Sequence, residues 1–250
     1  MSTLGDRTWT DFEHRAEQRS EHDAGGLASA GTLLVPVGAT EQHGPHLPLS
    51  TDTDIAVAVA GRAAARRPGV VVAPPLPYGA SGEHQAFPGT MSIGTAAVEL
   101  VVTELTRSAA STFGTVVYVS AHGGNAEPMA RSVARLRAEG HAVHVWSPRW
   151  RGDAHAGRTE TSVMLAIDET RVRRDSAAAG NTTPLAVLLP GLRTRGLRAT
   201  SANGVLGDPA GASAREGLHL LDAAADELAA MLDSWSRSDP ARNDGATVDR

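Results

Sequence analysis

Residues 32–54 read TLLVPVGATEQHGPHLPLSTDTD, and this stretch decides both the fold and the chemistry. The apolar run Leu33, Leu34, Val35 and Val37 predicts a buried strand, and Gly38 marks where the chain turns out of the sheet. Glu41 and His43 follow two apart. In an extended segment that spacing puts both side chains on one face, able to converge on one cation. Asp52 arrives where a helix begins, and its two oxygens could reach the same place from the other side and bridge a pair of metals. Glu, His and Asp without thiolate suit Zn, Fe(II) or Mn. A solvated polar loop would carry the same Glu-x-His pair, so the pair alone does not separate the two readings.

The 250 residues are 41% hydrophobic, enough for the core of one large domain, expected over residues 1–237 with a disordered tail at 238–250. Aromatics make up only 4%, so the core must be built from Ala, Val and Leu, an α/β composition. Cysteine is absent, which excludes disulfides, thiolate metal sites and a Cys nucleophile. The N-terminal residues lack a basic segment followed by an apolar one, and no stretch approaches the roughly 20 apolar residues of a membrane span. The expectation is a cytoplasmic, soluble protein. Net charge is -5, and the basic residues are scattered and all Arg, without the stripe that nucleic acid requires.

Strand and helix signals alternate along the chain. A capping box from Thr10 to Glu13 opens a short helix through Ala16. Helices are expected over 54–67, stopped by Pro68-Gly69, then over 95–108, 128–139 and 161–167, with a last amphipathic one over 213–235. Strands are expected over 70–73, 115–120 and 141–146, whereas 171–212 reads as irregular. A long Pro/Gly-rich segment after residue 73 has no core pattern and carries Glu83, His84 and Phe87. This alternation predicts a mostly parallel sheet with helices on both faces, whose ligands bind at the carboxyl ends of the strands. Glu41 and His43 follow strand one, His84 strand two, His122 strand three and His155 strand four. Solvated histidines have no reason to gather at one end of a sheet.

His122 is fixed by the strand before it, and Gly123 and Gly124 would let backbone approach a ligand closely or would simply make a turn. Glu160 opens a buried helix, where its carboxylate needs a cation or the helix dipole. His155 precedes it by five residues, placed to move protons beside a metal unless it is merely an exposed loop residue. Three carboxylates and two imidazoles exceed what one tetrahedral Zn with an open position needs, so two metals sharing Asp52 are coherent. Such a pair acidifies water and polarises an amide carbonyl, with His155 protonating the departing nitrogen.

Taken in order, Glu41-Gln42-His43-Gly44-Pro45-His46-Leu47-Pro48, Asp52, Phe87-Pro88-Gly89-Thr90, His122-Gly123-Gly124-Asn125 and Glu160-Thr161-Ser162 resemble the creatininase family of amidohydrolases. The resemblance spans roughly residues 8–235. It implies a three-layer α/β fold, a dinuclear metal centre, a homo-oligomer, and hydrolysis of cyclic or formyl amides. It further implies that Glu41, Asp52 and His122 hold one metal and His43 and Asp52 the other, with His155 as the proton-transfer residue. His84, Phe87, Gly123, Gly124 and Asn125 would then face the substrate. Creatininase has a glutamate ligand where this chain has Gly124, so Glu160 is expected to complete the second metal. It also has a longer insertion with a lid tryptophan between the positions of Trp150 and His155, and the shorter cover here favours a larger substrate.

Within the family, residues 79–85, 152–158 and 201–209 are most similar to a peptidase branch. That branch hydrolyses the modified C-terminus of a small ribosomal precursor peptide and releases a crosslinked Val-Tyr unit destined to become a redox cofactor. The same motifs would also serve another family amidohydrolase acting on a lactam or formamide, or a metal-binding protein that has lost turnover.

Overall fold

Strands β1 (Thr32–Val37), β2 (Val70–Val72), β3 (Thr115–Ser120) and β4 (Val143–Trp146) pair in the order β2-β1-β3-β4, every pair parallel. The structure is a computed structural model, and it describes residues 3–13 and 31–237. β1 and β3 run in register from Thr32 beside Thr115 to Val37 beside Ser120. All but the first residue of each is buried, which is why both strands read as continuous apolar runs rather than alternating ones.

Side chains still alternate between the two faces. Leu34, Val72, Val117 and Val119 pack against α1 (Thr51–Ala65), α4 (Arg158–Asp168) and α6 (Ala214–Arg237), through residues such as Ile55, Val59, Val163, Leu221 and Leu228. Leu33, Val35, Val71, Val116 and Tyr118 pack against α2 (Gly94–Ala109) and α3 (Ala126–Ala138), through Val98, Val102, Met129 and Leu136. The result is the three-layer α/β arrangement expected from the sequence. Strand order reverses between β1 and β3, so the crevice beyond their carboxyl ends is the topological switch point.

Several boundaries differ from expectation. α1 starts at Thr51, three residues early, which puts Asp52 in its first turn. α4 likewise starts at Arg158, so Glu160 sits inside the helix. α3 takes in Pro128, whose missing N–H is harmless in a first turn. β4 begins at Val143 because the His141 N–H turns back to the Leu136 carbonyl at the end of α3. A helix, α5 (Leu185–Arg195), lies in the segment expected to be irregular. The N-terminal cap pair is Thr8 with Asp11 rather than Thr10 with Glu13: the Thr8 N–H donates to Asp11 Oδ2 at 2.8 Å. The expected helix beyond Glu13 and the tail at 238–250 lie outside the described residues.

Candidate metal centre

β1 delivers its ligands through a tight exit. Gly38 packs so closely on α1 that a Cβ there would lie 2.3 Å from the Thr53 nitrogen. The first turn of α1 therefore rests against the strand end and brings Asp52 under Glu41 and His43. All three are buried, at 2%, 1% and 0% exposure. His122, just past β3, closes the group from the neighbouring strand.

Asp52 turns one oxygen to each of two histidines. Oδ2 lies 3.4 Å from His122 Nδ1, which is itself 3.2 Å from Glu41 Oε2. Oδ1 lies 3.1 Å from His43 Nε2, and Glu160 Oε2 approaches that nitrogen to 3.9 Å. Each imidazole turns its other nitrogen to a backbone carbonyl: His122 Nε2 to Ala80 O at 3.1 Å, and His43 Nδ1 to Glu41 O at 3.3 Å. A hydrogen bond from one ring nitrogen to a carbonyl fixes the imidazole so that its other nitrogen is free to meet a metal. Glu41 Oε2 and Asp52 Oδ2 are sealed from solvent yet accept no hydrogen bond. Buried carboxylate oxygens left so are costly without a cation, and their neighbours are imidazole nitrogens of matching geometry. The donor set therefore fits divalent metals. Among the described residues, three overlapping groups of ligand atoms converge closely enough to hold an ion: Glu41 with Asp52 and His122, His43 with His155 and Glu160, and Glu41 with His84 and His155.

The electrostatics of the side chains themselves point the same way. Burial alone would depress His43 and His122, but the Asp52 carboxylate beside the first and the Glu41 carboxylate beside the second raise both to about 10. Burial pushes Asp52 up to about 6 against the pull of His43. Burial also opposes charge on Glu41, yet His122, with His84 and His43 behind it, holds that carboxyl well below the usual range. The two carboxylates thus favour positive charge at both histidine positions.

His155 lies in the loop between β4 and α4, its backbone paired both ways with Leu206 (N–H to O 3.2 Å, O from N–H 2.8 Å). Its ring centroid is 4.3 Å from that of His43 and 4.7 Å from that of His84. Burial, reinforced by His43, depresses it to about 4, so it is neutral at pH 7. The next residue, Ala156, holds a positive φ of 53° and donates its N–H to Glu160 Oε2 at 2.5 Å. That contact steers Glu160 from the first turn of α4 toward His43. His46, also buried, meets Thr161 Oγ1 at 2.9 Å beneath Glu160.

The long segment after β2 folds over the open side. His84 Nε2 lies 3.3 Å from Glu41 Oε1, so this ring touches a candidate ligand directly. Phe87 sits under the Arg198 guanidinium, 5.0 Å from ring centroid to Cζ. Gly123 and Gly124 form the turn after His122. Asn125 ties that turn to both neighbouring loops, accepting from Ala80 N–H at 2.9 Å and donating to Gly38 O at 3.0 Å. Trp150, the tryptophan of the short loop before His155, packs against the core. Gln42, between Glu41 and His43, meets His84, His155 and the Gly204 carbonyl, an arrangement the sequence does not signal. No spacing signal reports which distant loops will meet it.

The family model for creatininase, described as creatinine amidohydrolase, matches residues 6–232. The chain belongs to the creatininase family. It is accordingly a hydrolase of amide bonds. Over 219 residues it is 51% identical to the mycofactocin precursor peptide peptidase of Mycolicibacterium smegmatis, an alignment covering 84% of this chain and 87% of that one. A solved creatininase mutant of zinc–zinc type superposes with a TM-score of 0.76 at 27% identity, covering 96% of this chain and 99% of that one. A manganese creatininase gives 0.75 at 26% identity, covering 96% and 100%.

Proposed function

We propose that this creatininase-family member is a dinuclear metallopeptidase that cleaves the modified C-terminus of the mycofactocin precursor peptide and releases its crosslinked Val-Tyr unit. The observation that supports the metal chemistry best is the Asp52 carboxylate, whose two oxygens face different histidines. The substrate assignment rests on the 51% identity to the Mycolicibacterium smegmatis peptidase. Glu41, Asp52 and His122 would hold one divalent ion, and His43, Asp52 and Glu160 the other. Zn, Fe(II) and Mn all suit this set, and the solved relatives include zinc and manganese forms. A cytoplasmic homo-oligomer is part of the same reading.

The bound ions would supply a Lewis acid for the amide carbonyl and lower the pKa of water. The chain supplies the proton traffic. A neutral His155 takes the proton released by the attacking water and returns it to the departing amine nitrogen, so the step balances without an external acid. His84, Phe87 and the Gly123–Asn125 turn would face the peptide, and Trp150, which packs against the core, would leave the short loop before His155 as the cover.

The test is elemental analysis of protein purified without chelator, together with cleavage of the modified precursor peptide, creatinine and a formamide. About two metals per chain and chelator-sensitive cleavage of the peptide alone are expected. Turnover of creatinine or the formamide in preference to the peptide would transfer the protein to the small-amide members of the family.

A further inference from the structure

Gln42 stands between Glu41 and His43 and is 6% exposed. The orientation of that amide is set by Oε1, which accepts the Gly44 N–H at 2.9 Å. Nε2 therefore faces the other way, where three groups compete for two hydrogens. The Gly204 carbonyl is at 3.1 Å, His84 Nδ1 at 3.1 Å and His155 Nε2 at 3.0 Å. The same His155 Nε2 lies 2.9 Å from the backbone carbonyl of Gln42, a group that can only accept.

One proton arrangement gives every acceptor in this group a donor, at the cost of the Gln42 Nε2–His155 Nε2 contact. His155 carries its hydrogen on Nε2 and donates it to the Gln42 carbonyl. That nitrogen then cannot accept from the amide, whose hydrogens go to Gly204 O and His84 Nδ1. His84, having accepted at Nδ1, carries its own hydrogen on Nε2, where Glu41 Oε1 waits at 3.3 Å. Glu41 Oε1 is thereby occupied, and Oε2 is left for the His122 and Asp52 side. The converse assignment would face the His155 Nε2 lone pair against the carbonyl at 2.9 Å and leave His84 Nδ1 without the donor that its position demands.

We infer that Gln42 is a positioning residue that assigns the protons of His84 and His155, leaving Nδ1 as the basic nitrogen of His155 and, through His84, fixing the Glu41 carboxylate. This deepens the metallopeptidase reading and rests on it only where Glu41 is called a ligand. A second element built to hold the amide is Gly204, at φ 79°, where a Cβ would come within 1.9 Å of Gln42 Oε1. The 201–209 segment thus closes on Gln42 with no room for a side chain.

The experiment is long-range ¹H–¹⁵N correlation on histidine-labelled, metal-free protein at neutral pH, followed by titration with zinc alone. In the unaltered chain, His84 and His155 should both give the neutral Nε2–H signature. Gln42→Leu, which keeps the volume and removes the amide, should turn His84 into a tautomer mixture and weaken zinc binding about 10–100-fold, the usual effect of losing an outer-shell partner. Gly204→Ala, which displaces the amide while leaving every polar group in place, should move both readouts the same way and covers the case in which Gln42→Leu does not fold. An Nδ1–H signal from His84 in the unaltered chain, or unchanged tautomers and zinc affinity in a folded Gln42→Leu protein, would overturn the inference. The stated tautomers in a protein that takes up no zinc would uphold it while sinking the metal reading.

Discussion

Asp52 Oδ1 stands 3.1 Å from His43 Nε2, with the carboxylate 2% and the imidazole 0% exposed. The other oxygen of the same carboxylate lies 3.4 Å from His122 Nδ1, so one residue links the two histidines. Asp52→Ala should empty or cripple both metal positions, and turnover should fall by more than the roughly 10–100-fold that loss of an outer partner costs. Elemental analysis of the purified variant is the check. Full metal content would rule out a shared ligand.

Glu160 reaches only the His43 side, steered there by the Ala156 N–H. Glu160→Gln should therefore lower metal content from about two to about one per chain, with the ion between Glu41, Asp52 and His122 retained. Unchanged stoichiometry would return Glu160 to the role of a helix N-terminal carboxylate.

Acid–base linkage distinguishes the empty from the loaded site. In the metal-free protein the Asp52 and Glu41 carboxylates outweigh burial and raise His43 and His122 to about 10. A folded-state pKa above the unfolded one, near 6.5, contributes stability that is complete below that pH and is lost as pH climbs toward 10. A loaded site has exchanged those protons for cations and lacks this dependence. Thermal melts from pH 7 to 10 should show chelated protein losing stability more steeply than zinc-reconstituted protein. Zinc loading at pH 7 should release protons, which calorimetry in buffers of different ionisation enthalpy would count. Parallel melting curves and no proton release would contradict the assignment of both histidines as ligands.

Legibility in the sequence followed burial and locality. β3 is plain because a strand covered on both faces reads as an unbroken β-branched run, and Glu41, His43 and His122 stand out as candidates because they follow the ends of β1 and β3. α5 escaped because Pro190 and Gly191 interrupt it, and exposed Leu185, Val187 and Leu189 erase its amphipathic pattern. α1 and α4 begin at Thr51 and Arg158 rather than at Asp54 and Thr161 because their polar first turns carry no apolar period to announce them. The meeting of residues 79–84 and 203–207 with Glu41 and Gln42 is a long-range event, which no local spacing encodes.

His155 should be separable from metal binding. It is neutral because burial and His43 hold it near 4, and its backbone is pinned to Leu206 independently of any ligand. His155→Ala is expected to keep its metals and to lose roughly 10²–10⁴-fold in kcat, the range for a removed general acid–base group. Metal content equal to the unaltered protein alongside that loss would separate catalysis from assembly. A proportionate loss of metal would instead make His155 part of the His43–Glu160 ligand group.

Gly124 offers the sharpest test of how this site departs from creatininase. A Cβ there would lie 2.2 Å from the Ala80 carbonyl and 2.5 Å from His122 Nε2, the two atoms whose hydrogen bond aims Nδ1 into the site. The neighbouring Glu83 Oε1 would be only 3.1 Å away. Restoring a glutamate at this position should therefore fail to restore a ligand, because the backbone of the 79–84 segment has closed over the space. Gly124→Glu and Gly124→Ala should both cost about 1–3 kcal/mol of stability through overpacking. Both should also weaken metal binding by turning His122. A Gly124→Glu protein with undiminished melting temperature and tighter zinc binding would mean that the segment can open and that the lost ligand position is still available.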